Sequence, residues 1–149
     1  MSFFASLFGG APKKDTWSIA KISSTDGSVG LFRYRETLPE NGRQALLSEE
    51  ISISWKFEGA MPDSATNKLM VEFEDALAPL ESGGGALLLF VSTVGDRREW
   101  CYYGDDYAVF MGQLNSCLRG KPRFPLIIEH THDPEWKYWH SFADRIKQK

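Results

Sequence analysis

Between Ile51 and Glu58 the chain alternates without a break. Ile51, Ile53, Trp55 and Phe57 are apolar or aromatic, while Ser52, Ser54, Lys56 and Glu58 are polar or charged. Side chains two apart on a strand share a face, so the segment predicts a strand with one face in a core and the other in water. The rest of the chain is read outward from this anchor.

After it, Pro62-Asp63-Ser64 opens a helix predicted to run to about Leu80, with Ala65, Leu69, Phe73 and Leu77 as its inner stripe. Glu72, Glu74 and Asp75 mostly face away, and Pro79 with Gly83-Gly84-Gly85 marks its end. Ala86 to Val91 is an unbroken apolar run, read as a strand covered on both faces. Gly95-Asp96 turns the chain into an aromatic strand, Arg98–Tyr103. A second long helix starts at Asp105 or Asp106, where a carboxylate suits the orphan N–H groups. Its inner residues are Tyr107, Phe110, Met111, Leu114 and Leu118, and Gly120 and Pro122 stop it. Pro125 to His132 reads as the last strand. Asp133-Pro134-Glu135 reads as the start of a terminal helix with Trp136, Trp139, His140, Ala143 and Ile146 facing inward. Upstream, strands at 16–23 and 29–36 are joined by Asp26-Gly27, and residues 37–50 read as a loop.

The predicted class is α+β: a ferredoxin-like split βαββαβ unit with an added N-terminal β-hairpin and a C-terminal helix. Right-handed crossovers put both long helices on one face of the sheet.

A chain of 149 residues fits one domain, and 42% hydrophobic with 25% charged residues argues against disorder over most of its length. The formal net charge of −3 weighs against nucleic acid as the main partner, because phosphate contacts call for a basic excess. Cys101 and Cys117 form no CxxC pair, so a reducing cytoplasm is the simplest compartment. No stretch is long and apolar enough for a membrane span. Residues 1–14 are expected to be a flexible segment and 15–149 the single domain. Phe3, Phe4, Leu7 and Phe8 fall at helical spacing, which allows weak peripheral membrane contact by residues 3–8. A frayed tether ended by Gly9-Gly10-Ala11-Pro12 is the plainer reading.

Arg98-Glu-Trp-Cys-Tyr-Tyr103, Leu114-Asn-Ser-Cys-Leu118 and Asp133-Pro-Glu-Trp136 together resemble a bacterial family known as domain of unknown function 695 (DUF695). The likeness runs from about Trp17 onward and is strongest over 93–139. It implies a ferredoxin-like α+β fold and no assigned catalytic set. Some relatives carry a second domain similar to a protein regulator of ribonuclease E, which gives a regulatory role by analogy only.

The residues offer several chemistries. Asp133-Pro-Glu-Trp is explained as a helix start, with ligand contact by Trp136 or Trp139 as the rival. His130 and His132 share a strand face and, with Asp133, raise the question of a metal, but no HExxH or CxxC accompanies them, so no metal or cofactor is expected. Cys101 and His130 fall on strands that flank the Ile51 strand, about 10 Å apart, too far for a Cys–His pair. Glu99 and Glu129 are acids on strands, read as sheet-face carboxylates paired with Arg98, Lys56 or water. Gly83-Gly84-Gly85 lacks the Lys-Ser/Thr of a phosphate loop. Trp100, Tyr102 and Tyr103 lie where RNA-binding sheets stack bases, without the basic residues of that motif.

The expectation is a non-catalytic module that regulates or inhibits a protein partner. The candidate contact residues are Glu99, Trp100, Tyr102, His130, His132, Trp136 and Trp139, and none is assigned as catalytic. The alternatives are a small-molecule-binding or hydrolytic domain with a pocket between sheet and terminal helix, a toxin-neutralising immunity protein, and a single-stranded RNA binder. A deep pocket walled by a carboxylate and a histidine favours the enzyme, and a flat aromatic patch favours the binder. The oligomeric state is open.

Overall fold

The structure is a computed structural model that describes residues 16–23 and 25–147. The N-terminal segment read as a tether or membrane contact lies outside these residues.

Six strands form one sheet: β1 (Trp17–Ser23), β2 (Val29–Arg35), β3 (Glu49–Lys56), β4 (Ala86–Val94), β5 (Arg97–Gly104) and β6 (Leu126–His132). Their order is β1-β2-β4-β5-β3-β6, and every neighbouring pair is antiparallel. Five helical segments accompany them among the described residues: α1 (Asn41–Leu46), α2 (Ser64–Ala76), α3 (Pro79–Ser82), α4 (Tyr107–Cys117) and α5 (Lys137–Lys147). The chain is a mixed α+β protein, as its sequence predicts.

The alternation in β3 sorts the molecule into layers. Ile51, Ile53 and Trp55 point into a core shared with Met70 and Phe73 of α2, Phe110 and Leu114 of α4, and Trp100 and Tyr102 of β5. The two long helices therefore lie on one face, as expected. On the opposite face a second core joins Leu89 and Phe90 of β4 and Cys101 and Tyr103 of β5 to Trp136, Trp139 and Phe142. There Phe90 stacks on Phe142 with centroids 4.0 Å apart and rings 3° from parallel. A register shift between Leu88 and Phe90 inserts Leu89 as an extra residue, so Leu89 and Phe90 both serve the second core.

Three local readings are corrected. Residues 37–50 are not all loop, because α1 forms at Asn41–Leu46 and β3 begins at Glu49. No side chain caps the N-terminus of α1; at its C-terminal end the Trp136 indole donates to the carbonyls of Gln44 and Leu47. In α2, Leu69 is exposed and Met70 is fully buried. Steps of four drift by about 40° each around a helix, whereas Met70, Phe73, Leu77 alternates steps of three and four and holds one line. The terminal helix begins at Lys137 rather than at Pro134. Trp136 takes a left-handed φ of 58° just before it, and His140 faces solvent while Phe142 is buried.

Candidate functional site

Of the six strands, β2, β4 and β5 contribute to the second core and β3 and β6 do not. On that side β3 presents Glu50, Ser52 and Ser54, and β6 pairs Glu129 with Ser52 and Thr131 with Glu50. Polar side chains cannot bury themselves under an apolar helix without partners, so α5 covers half of the sheet and leaves the other half open. The open half is a cleft of about 690 Å³ whose lining includes Glu50, Ser52, Glu99, Glu129, Lys137 and Tyr138.

Its floor is one connected polar chain. Ser52 Oγ lies 2.5 Å from Glu50 Oε2 and 3.2 Å from Glu99 Oε2. The Tyr138 hydroxyl donates to Glu99 at 2.8 Å, and the Cys101 thiol donates to Glu50 at 3.5 Å. Burial pushes the Glu50 carboxyl up against the bonds from Ser52 and Cys101, with the charge of Glu99 adding to the rise. A hydroxyl has one proton to give. When Glu50 is neutral it donates to Ser52, which then donates to Glu99. When both acids are ionised, one of them faces a lone pair. Burial, then the charge of Glu99, pushes the Tyr138 phenol far above its ordinary range.

Beside the cleft, Asp133 accepts from Tyr103 Oη at 2.7 Å, Lys137 N at 2.9 Å and Tyr138 N at 3.0 Å. This carboxylate sets the start of α5 and hence the place of Tyr138. The two histidines lean the other way. His130 stacks on Tyr107 at 3.6 Å, and Glu49 reaches His132 Nδ1 at 2.5 Å and His130 Nδ1 at 3.8 Å. Asp133 therefore does not join them. No cluster of three or more His, Cys, Asp or Glu is placed to hold a metal ion among the described residues.

Of the sequence candidates, Glu99 sits in the cleft, bonded to Tyr138 and Ser52 rather than to Arg98, whose guanidinium goes to Thr93 and Asn67. His130 and His132 lie at its rim. Trp100, Tyr102, Trp136 and Trp139 are buried in the two cores. The cleft brings in Glu50, Ser52 and Tyr138, which the sequence reading did not single out. The wet face of β3 was a signal for the first two. Tyr138 gave none, because its direction depends on where α5 begins.

The model of a family of unknown function, DUF695, matches residues 15–143. The chain belongs to this family. No curated protein and no solved structure matches it. The DUF695 match contains every element from β1 to β6 and most of α5, so the whole cleft lies within it. No helix among the described residues is long and apolar enough to cross a membrane.

Proposed function

We propose that this protein is a non-catalytic binding module that regulates or inhibits a protein partner by taking up a cationic group of that partner in the open cleft. The observation that carries the reading is the placement of Glu99 and Glu129 with hydroxyl groups on the uncovered half of the sheet, where Arg97 and Lys137 share the lining and Glu50 is buried at the floor. Cys101 carries the thiol nearest the cleft floor among the described residues, and that thiol is buried and pushed well up, first by burial and then by Glu50. A toxin-neutralising role is one form of the same reading, with a basic toxin as the partner. Two free cysteines suit a reducing cytoplasm, and the family resemblance suggests a bacterial setting. The strand order β4-β5-β3-β6, with α2 and α4 on one face, supports a ferredoxin-like split βαββαβ unit.

Calorimetric titration with lysine- and arginine-rich peptides at low salt tests this. Binding is expected, weakened at least tenfold by Glu99→Gln with Glu129→Gln and weakened by salt. Absence of binding to every basic peptide would sink the reading.

A small-molecule or hydrolytic role is the second reading, favoured by Glu50 and Glu99 meeting through Ser52. Two carboxyls in different environments can give and take protons in turn. Turnover of any ester, amide or glycoside that Glu50→Gln abolishes would favour it. Stacking of RNA bases on Trp100 or Tyr102 would require opening the first core, since both are buried.

A further inference from the structure

The sheet has two edges, and they differ. β1 carries Lys21 at its middle, a charge of the kind that discourages strand pairing. β6 runs Leu126-Ile-Ile-Glu-His-Thr-His132 with no lysine, arginine or proline.

Which of its backbone groups are open follows from the ladder. The Asp133 N–H donates to the Ser48 carbonyl at 2.7 Å, which extends the register in which Glu49 faces His132. In an antiparallel ladder, bonded pairs alternate with non-bonded ones. Ile127, Glu129 and Thr131 therefore bond inward to β3, whereas Ile128, His130 and His132 turn their N–H and C=O groups outward. Leu126 N–H also points away from β3 and donates to Phe124 O at 2.9 Å. Beyond β6 no strand follows among the described residues.

We infer that β6 takes up an extended segment of the partner as a seventh strand, with basic side chains of that segment directed over the cleft. This rests on the cleft reading above and adds the mode of docking. A strand laid about 4.8 Å beyond β6 directs every second side chain to the Glu129 side. There a Lys or Arg meets Glu129 and extends toward the cleft floor. The intervening side chains lie beside Ile128, which is half-buried, and His130, which is exposed. Unpaired backbone supplies the affinity, and the charge selects the partner.

The test uses fluorescence anisotropy with labelled eight-residue peptides of one composition, alternating Lys-Val against Val-Val-Val-Val-Lys-Lys-Lys-Lys. The alternating peptide is expected to bind at least tenfold more tightly. N-methylation of every second amide, in one of the two phases, is expected to abolish binding. Ile128→Pro removes one outward N–H and leaves the β3 ladder whole. Because Ile128 also packs against the first core, Ile128→Ala serves as the control that trims the packing but keeps the N–H. The proline variant is expected to weaken binding tenfold or more and the alanine variant to bind like the wild type, both remaining folded. Equal binding of both peptides, with sensitivity to Glu129→Lys but not to N-methylation, would overturn strand addition and leave the cleft reading intact. Failure of both peptides to bind would overturn both. A dimer of the free protein that Ile128→Pro dissociates would replace the partner with a second copy of this chain.

Discussion

The Tyr103 hydroxyl lies 2.7 Å from the Asp133 carboxylate and also accepts from the Trp139 N–H at 3.1 Å, so one phenol joins the centre of the sheet to the first turn of the terminal helix. Tyr103 stacks on Trp136 with centroids 4.3 Å apart, which closes the joint from its side. It supports the Asp133 carboxylate that bonds the Tyr138 N–H, while the Tyr138 ring is also held against Phe90 with centroids 5.9 Å apart.

Tyr103→Phe removes the bond to a charged acceptor and leaves the Trp139 N–H without this partner. A loss of about 1.5–3 kcal/mol is expected by urea denaturation. Asp133→Asn tests the same joint through pH. Burial alone raises the Asp133 carboxyl, but the bonds from Tyr138, Tyr103 and Lys137 outweigh it and hold it below the ordinary value of 3.8. A depressed carboxylate contributes stability that is present above its unfolded value and lost as pH falls through its folded one. The wild-type midpoint is therefore expected to fall below about pH 4, and Asp133→Asn is expected to flatten that limb.

Trp136 combines a left-handed backbone with an indole bonded to Gln44 O at 3.1 Å and Leu47 O at 2.9 Å. Trp136→Phe keeps a ring in place but strands those carbonyls, and about 1–2 kcal/mol of destabilisation is expected. Hydrogen exchange at residues 41–47 is expected to accelerate more than in β4. Equal acceleration everywhere would mean that α1 does not depend on this bond.

These joints mark where the sequence stops being legible. Period-2 and helical patterns located β3 and α4, and the Asp26-Gly27 and Gly95-Asp96 turns located both hairpins, because each of these signals is local in sequence. Asp133 was readable as a cap, yet the first helical residue is Lys137, since the turn from Asp133 to Trp136 closes through Trp136 N to Asp133 O at 3.0 Å. α1 was hidden because Asn41-Gly42 reads as a turn, and the helix is fastened by a tryptophan far along the chain. The cleft was half legible. Glu99 stood out as an acid on a strand, but its partners Ser52 and Tyr138 come from two other elements. Aromatic density in β5 and α5 suggested a contact surface and instead fills two cores, since alternate strand positions in a covered sheet all point inward.

Cys101 and Cys117 are expected to differ in alkylation. Cys101 is fully buried, and burial, then Glu50, raises its thiol. Cys117 is half-buried and raised by burial alone. Iodoacetamide on the native protein, read by mass spectrometry, is expected to modify Cys117 slowly and Cys101 only after denaturation. Fast native labelling of Cys101 would reopen a nucleophilic role.

Glu50 gives the opposite pH signature to Asp133. Its folded value lies above the ordinary 4.5, burial being the first cause. In the window that opens there and extends upward, the folded protein holds more protons than the unfolded chain, so stability falls as pH rises through it. Glu50→Gln keeps a group that can donate to Ser52 and removes the charge, and it is expected to abolish this decline and to equal or exceed the wild type in urea midpoint at neutral pH. Should Glu50→Gln instead lose stability across the whole range, Glu50 is ionised in the native cleft. Ser52 then gives its one proton to Glu50.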